Sequence, residues 1–145
     1  GKNGFVRLNM ARFFNPDGVP KPASNYSQAV EVSAGARRLI ISGQIGVSAD
    51  GDVADGYEAQ AEQAWRNILA ILADAGMSPS DIVKITVYDV APGNVAAYRV
   101  VRDRMLGGHA PASTYVLVAG LASPDFLTEI EAEAVADPER TQVKM

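Results

Sequence analysis

Between Thr128 and Ala136, Glu129, Glu131 and Glu133 alternate with Ile130, Ala132 and Ala134. In extended backbone all three carboxylates then fall on one face. A carboxylate there can hold and activate a water or shuttle a proton, provided burial or a neighbour tunes its pKa; the same alternation equally describes a solvated sheet face. The single histidine, His109, sits between Gly108 and Ala110. Alone it makes no metal centre, and no familiar ligand spacing accompanies it, so no metal is expected. No GxSxG elbow exists for a serine triad through His109. Gly43-Gln44-Ile45-Gly46 is too short for a dinucleotide fingerprint and reads as a turn.

Several elements must position these groups. Gln28 to Ser33 and Arg38 to Ser42 are β-favouring runs separated by Ala34-Gly35-Ala36, a spacing that suits a hairpin. After a loop from Ala49 to Gly56, Ala61, Trp65, Ile68, Leu69, Leu72 and Ala75 recur at helical spacing. Asp55 with Glu58 reads as a capping box for this helix, and Gly76 as its left-handed end. Val83, Ile85 and Val87 alternate with polar residues as in a half-buried strand. Asn94 offers an N-cap for a second helix carrying Val95, Tyr98, Val101 and Met105, stopped by Gly107-Gly108. Its Arg99, Arg102 and Arg104 read as a solvated face. Thr114 to Ala119 and Thr128 to Ala136 complete the order ββ, α, β, α, ββ. That order predicts a two-layer α+β architecture with helices on one face and the other face needing cover.

The chain has 145 residues, 48% of them hydrophobic, enough for one core, so residues 10–145 are expected to form a single domain. Gly1 to Asn9, ahead of Met10-Ala11, read as a cloning remnant or disordered leader. With no cysteine there is no thiol nucleophile or disulfide framework. No apolar run approaches the roughly 20 residues of a membrane helix, which predicts a soluble cytoplasmic protein. A net charge of -4 argues against a general nucleic-acid surface.

Four segments in order now resemble one family: Tyr26-Ser27-Gln28-Ala29-Val30, Ile41-Ser42-Gly43-Gln44-Ile45, Asp81 to Tyr88, and Glu129 to Val135. The chain is similar to RidA (YjgF-like) proteins from about Ser24 to Ala136, with Asn67-Ile68, Ala75-Gly76, Tyr98 and Pro111-Ala112 extending the match. The resemblance implies a chorismate-mutase-like fold in a homotrimer with clefts between subunits. It further implies hydrolysis of enamines or imines to a 2-oxo acid and ammonia, with a bound water as nucleophile and no cofactor. Carried over by motif, Glu129 would activate that water, while Tyr26, Ser42 and Gly43 shape the cleft.

The pattern departs at Pro111-Ala112-Ser113-Thr114, where deaminating relatives have Arg in the place of Ser113. A serine offers one neutral bond where a guanidinium offers two charge-assisted ones, so an atypical substrate is expected. Tyr115 replaces a residue that is small in many relatives; it either walls the cleft for a larger, less anionic ligand or packs at a subunit interface. Arg102 or Arg104 could supply the cation from another direction. The alternatives to deamination are a non-catalytic member that binds a small metabolite or a protein and, least favoured, an endoribonuclease or translation inhibitor.

Overall fold

The structure is a computed structural model that describes residues 10–139. The leader expected over Gly1 to Asn9 lies outside them.

Strand β3 (Arg37–Ile45), helix α1 (Tyr57–Asp74), strand β4 (Ile82–Asp89), helix α2 (Val95–Leu106), strand β5 (Ala112–Leu117) and strand β6 (Thr128–Ala136) form the main body. The sheet order is β3-β6-β4-β5. β6 pairs antiparallel with β3 and β4, while β4 and β5 run parallel. A parallel pair needs a crossover, and α2 supplies it. The expected α+β architecture is what is found. Ala61, Ala64, Trp65, Ile68 and Leu72 on α1 bury against Ile41, Ile85, Val87, Ile130 and Ala132 on the sheet. Residues of opposite parity, including Lys84, Thr86, Tyr88 and the three glutamates, line the other face, which no helix covers among the described residues.

The opening differs from the expected hairpin. β2 (Ala29–Val32) pairs antiparallel with a further strand, β1 (Ala11–Phe14), while β3 pairs with β6. Ala-Arg-Phe-Phe is short and follows the supposed leader, so its strand had no contrast to mark it. β3 also runs past Ser42 to Ile45, so the expected turn over 43–46 is strand as far as Ile45. Between Ile41 and Gln44 its register slips by one residue against β6, a β-bulge.

Helix α1 starts without the expected box. Its N-cap is Gly56 at φ 90, with no side-chain cap bond. Asp55 is thereby one residue too early, and the third helical position is Ala59 rather than Glu58. Glu58 still places negative charge in the first turn, where the helix dipole favours it. The C-terminal expectation holds. Gly76 takes φ 70, its N–H reaches the Ala73 carbonyl at 3.0 Å, and the Met77 N–H reaches the Leu72 carbonyl at 2.8 Å. This is a Schellman closure with Met77 and Leu72 both buried. A capping box does occur nearby, between Ser78 and Asp81 ahead of β4. Helix α2 begins after Asn94 and ends at Gly107, φ 59.

Candidate functional site

Glu129, Glu131 and Glu133 pair with Tyr88, Thr86 and Lys84 of β4, so the three carboxylates do share the uncovered face. Each has a different setting. Glu133 meets Arg38 at 3.5 Å. Glu131 accepts the Tyr88 hydroxyl at 2.5 Å. That bond first, then burial and the charges of Glu131 and Glu129, raise the Tyr88 phenol pKa, so Tyr88 stays a proton donor. Glu129 lies against Gly43 at the bulge. A Cβ on Gly43 would overlap the Glu129 carboxylate, at 2.7 Å from Cδ and 2.9 Å from Cγ. Glycine is therefore needed here for close approach rather than for a positive φ. Ser42 beside it is exposed. A shallow depression of about 210 Å³ continues along this face over Ile40, Lys84, Thr86 and Glu131.

The other sequence-derived residues lie elsewhere. Segment 24–28 is laced to the approach of β5: the Ser27 N–H donates to the Pro111 carbonyl at 3.0 Å, the Ser27 hydroxyl to the Ala110 carbonyl at 2.6 Å, and the Asn25 amide to the Gly108 carbonyl at 3.0 Å. Tyr26 thus stands beside the start of β5. Ser113 and Tyr115 pair with Ile85 and Val87, which places both on the helix side of the sheet. Glu129, Ser42 and Gly43 therefore form one group, while Tyr26, Ser113 and Tyr115 form another at the β5 edge. Within one subunit the sheet separates Glu129 from Ser113 and Tyr115.

Tyr115 belongs to a polar cluster that the sequence reading missed. Asp89 is fully buried, and its Oδ2 accepts the hydroxyls of Tyr57 at 2.7 Å and Tyr115 at 2.5 Å. Burial first, then the bond to Asp89 and its charge, push both phenols far above the ordinary tyrosine range. The Tyr115 ring also lies 5.8 Å from that of Tyr98, whose phenol burial likewise holds up. A signal for Asp89 existed: it continues the parity of Ile85 and Val87, so its side chain had to point inward.

The arginines of α2 divide. Arg104 is exposed and bridges Glu62 at 3.1 Å. Arg102 is only 3% exposed, which corrects the solvated-face reading. Position 102 is four residues after Tyr98 and so shares its buried side. The His109 Nε2 is 2.7 Å from the Ile82 carbonyl, and its ring packs edge-on against Phe13. Among the described residues no cluster of three or more His, Cys, Asp or Glu could hold a metal ion, and no helix is long and apolar enough to cross a membrane.

Comparison with known proteins gives the family. The profile of the Endoribonuclease L-PSP family matches residues 18–136. A RutC family protein of Pyrococcus abyssi is 36% identical over 118 residues, 80% of this chain and 90% of its own. The solved structure of YyfB, a Rid family protein from Yersinia pestis, superposes with a TM-score of 0.80 at 34% identity, covering 88% of this chain and 99% of that one. E. coli TdcF, solved with bound serine, gives a TM-score of 0.66 at 31% identity, covering 87% and 99%. The chain belongs to the Endoribonuclease L-PSP family, the Rid group its sequence resembles.

Proposed function

We propose that the protein is a cofactor-independent hydrolase that deaminates an enamine or imine of a small metabolite, acting as a cytoplasmic homotrimer. The observation that carries this reading is the split of the site. Glu129 with Gly43 and Ser42 lies on the uncovered sheet face, while Ser113 and Tyr115 lie on the opposite side of the sheet at the β5 edge, to which the segment of Tyr26 is bridged. A cleft that uses both groups needs the edge of one subunit laid on the open face of the next. That face also exposes Ile40 at 60%, an apolar group a second subunit would cover.

In such a cleft the reaction runs as follows. The enamine takes a proton at carbon and becomes the iminium, the protonated imine. Glu129 removes a proton from a water as the water oxygen bonds to the imine carbon, giving a carbinolamine. Glu129 then returns its proton to nitrogen, and the C–N bond breaks as the carbinolamine hydroxyl gives up its proton, releasing ammonia and leaving a carbonyl. Tyr88 and Glu131, bonded to each other, fix the polar floor beside Glu129. Bound serine in TdcF supports a small amino-acid-like ligand for this chain too.

Ser113 favours a second reading, a non-catalytic member that binds a small metabolite, because a serine holds a carboxylate less firmly than a guanidinium. RNA cleavage is least supported: His109 is committed to the Ile82 carbonyl, and the open face carries Glu129, Glu131 and Glu133. The test is pyruvate release from 2-aminoacrylate generated in situ by a pyridoxal-phosphate lyase. Wild type should accelerate it and Glu129→Gln should not, at unchanged oligomeric size; equal rates would remove Glu129 from the mechanism.

A further inference from the structure

We infer that Arg102, on helix α2, is the residue that grips the substrate carboxylate, standing in for the cation that Ser113 cannot supply. This rests on the deaminase reading for its substrate class, but its geometry stands independently.

Arg102 is 3% exposed, and one nitrogen of its guanidinium lacks a hydrogen-bond partner among the described residues. Nε donates to Asp103 Oδ1 at 2.9 Å, and Nη1 donates to the Ser24 hydroxyl at 3.3 Å. Nη2 is buried and has no acceptor among the described residues. A buried cation is retained when its donors are met, and an unmet one is costly. Nη2 has no exposed surface in the subunit, so an anionic acceptor reaches it as the Ser24 contact opens, and then meets Nη2 and Nη1 together in the parallel fork geometry a carboxylate suits.

The placement is equally specific. Ser24 lies two residues before Tyr26, in the segment bridged to β5 at Ser27 and Ala112. Helix α2 crosses from β4 to its parallel neighbour β5, so it runs antiparallel to both. Tyr98 lies over Tyr115. One turn further along α2 corresponds to stepping back along β5, toward Ser113. Through Ser24 Arg102 reaches the segment that carries Tyr26, and the direction of α2 carries it toward the Ser113 end of β5 from the helix side. Arg104 does not compete, since it is turned out to Glu62.

The test is equilibrium binding of pyruvate, the carboxylate product, and of pyruvamide, its uncharged counterpart, to the purified protein by calorimetry. Arg102→Met should weaken pyruvate by about tenfold or more and leave pyruvamide unchanged. Arg102→Lys should fall between, because it keeps the charge without the fork. Adding Ser113→Arg to Arg102→Met should restore pyruvate binding, which a merely structural loss would not allow, and which keeps the test decisive if Arg102→Met alone folds poorly. In turnover of 2-aminoacrylate, Arg102→Met should raise KM with little change in kcat.

Pyruvate binding that is absent in wild type, or equal in wild type and Arg102→Met, overturns the proposal. So does an Arg102→Met protein that loses its oligomeric state and pyruvamide affinity together, since Nη2 would then serve a subunit contact. If instead pyruvate depends on Arg102 but Glu129→Gln turns over normally, the carboxylate site stands and the Glu129 mechanism falls.

Discussion

Glu129 and Gly43 act as a pair. The carboxylate occupies the space a side chain at position 43 would need, so Gly43→Ala should push Glu129 off its position. A misplacement near 1 Å can cost about a hundredfold in rate, whereas overpacking against a flexible carboxylate should cost stability only about 1 kcal/mol. Steady-state kinetics and a denaturant midpoint on the same sample would separate the two; a large stability loss with normal kcat would contradict the pairing. Glu129→Gln should lower kcat by about 10² to 10⁴, the usual range for general acid–base groups. Much of this was legible in sequence. The alternation at 129–133 put Glu129 on a polar face, but its contact with Gly43 depends on the bulge in β3, which a run read as a turn could not reveal. Arg102 shows a different failure. Its spacing from Tyr98 pointed inward, and the usual exposure of charged residues outweighed that periodicity.

Beside the hydrophobic core, Asp89 ties three elements together. Tyr57 opens α1, Asp89 ends β4 and Tyr115 sits in β5, so the two hydroxyl bonds join a helix to two strands of the sheet. Tyr57→Phe or Tyr115→Phe leaves a buried carboxylate with one donor and should cost about 1–3 kcal/mol. The double variant should cost less or more than the sum, because both bonds share Oδ2. Additive losses in urea unfolding would mean that the two bonds are independent. Gly46 is a second tie. A Cβ there would come within 2.5 Å of the Gln60 Cα. Gln60 in turn donates to the Asp125 carbonyl at 3.0 Å and accepts the Leu127 N–H at 2.8 Å, fixing the entry to β6 and so to Glu129. The helices were readable from apolar spacing, and Gly76 from its position. The start of α1 was not, because Asp55 and Glu58 have box spacing while a glycine at positive φ takes the cap.

On the scale of the whole molecule, the buried phenols predict a particular pH response. Tyr57, Tyr98 and Tyr115 all have raised pKa values, with burial as the first cause. The unfolded chain loses these protons near pH 10 while the folded one keeps them. Above that pH the unfolded state binds fewer protons, so stability falls as pH rises, and below it the contribution is complete. Urea midpoints between pH 9 and 11 should drop, and Tyr98→Phe should flatten the decline; parallel curves for the two proteins would contradict this origin. Fold class was legible because two helical periods and several alternating runs leave few architectures. The pairing of β1 with β2 was not, since strand partners are set by tertiary contacts rather than by local spacing. Nor could local spacing show that Glu129 and Ser113 lie on opposite sides of a sheet.

That separation is the centre of the account, and mixed oligomers test it most directly. Glu129→Gln and Tyr26→Ala proteins, each expected to be nearly inactive, would be dissociated, mixed in equal amounts and reassembled. Pyruvate release from 2-aminoacrylate would then be compared with wild type and with each parent. If each site takes Glu129 from one subunit and Tyr26 from the next, random trimers should recover about a quarter of wild-type activity. A mixture no faster than its parents, beside an active wild type, would place both residues in a site within one subunit and contradict the split; a wild type that leaves pyruvate release unchanged would contradict deamination of this substrate.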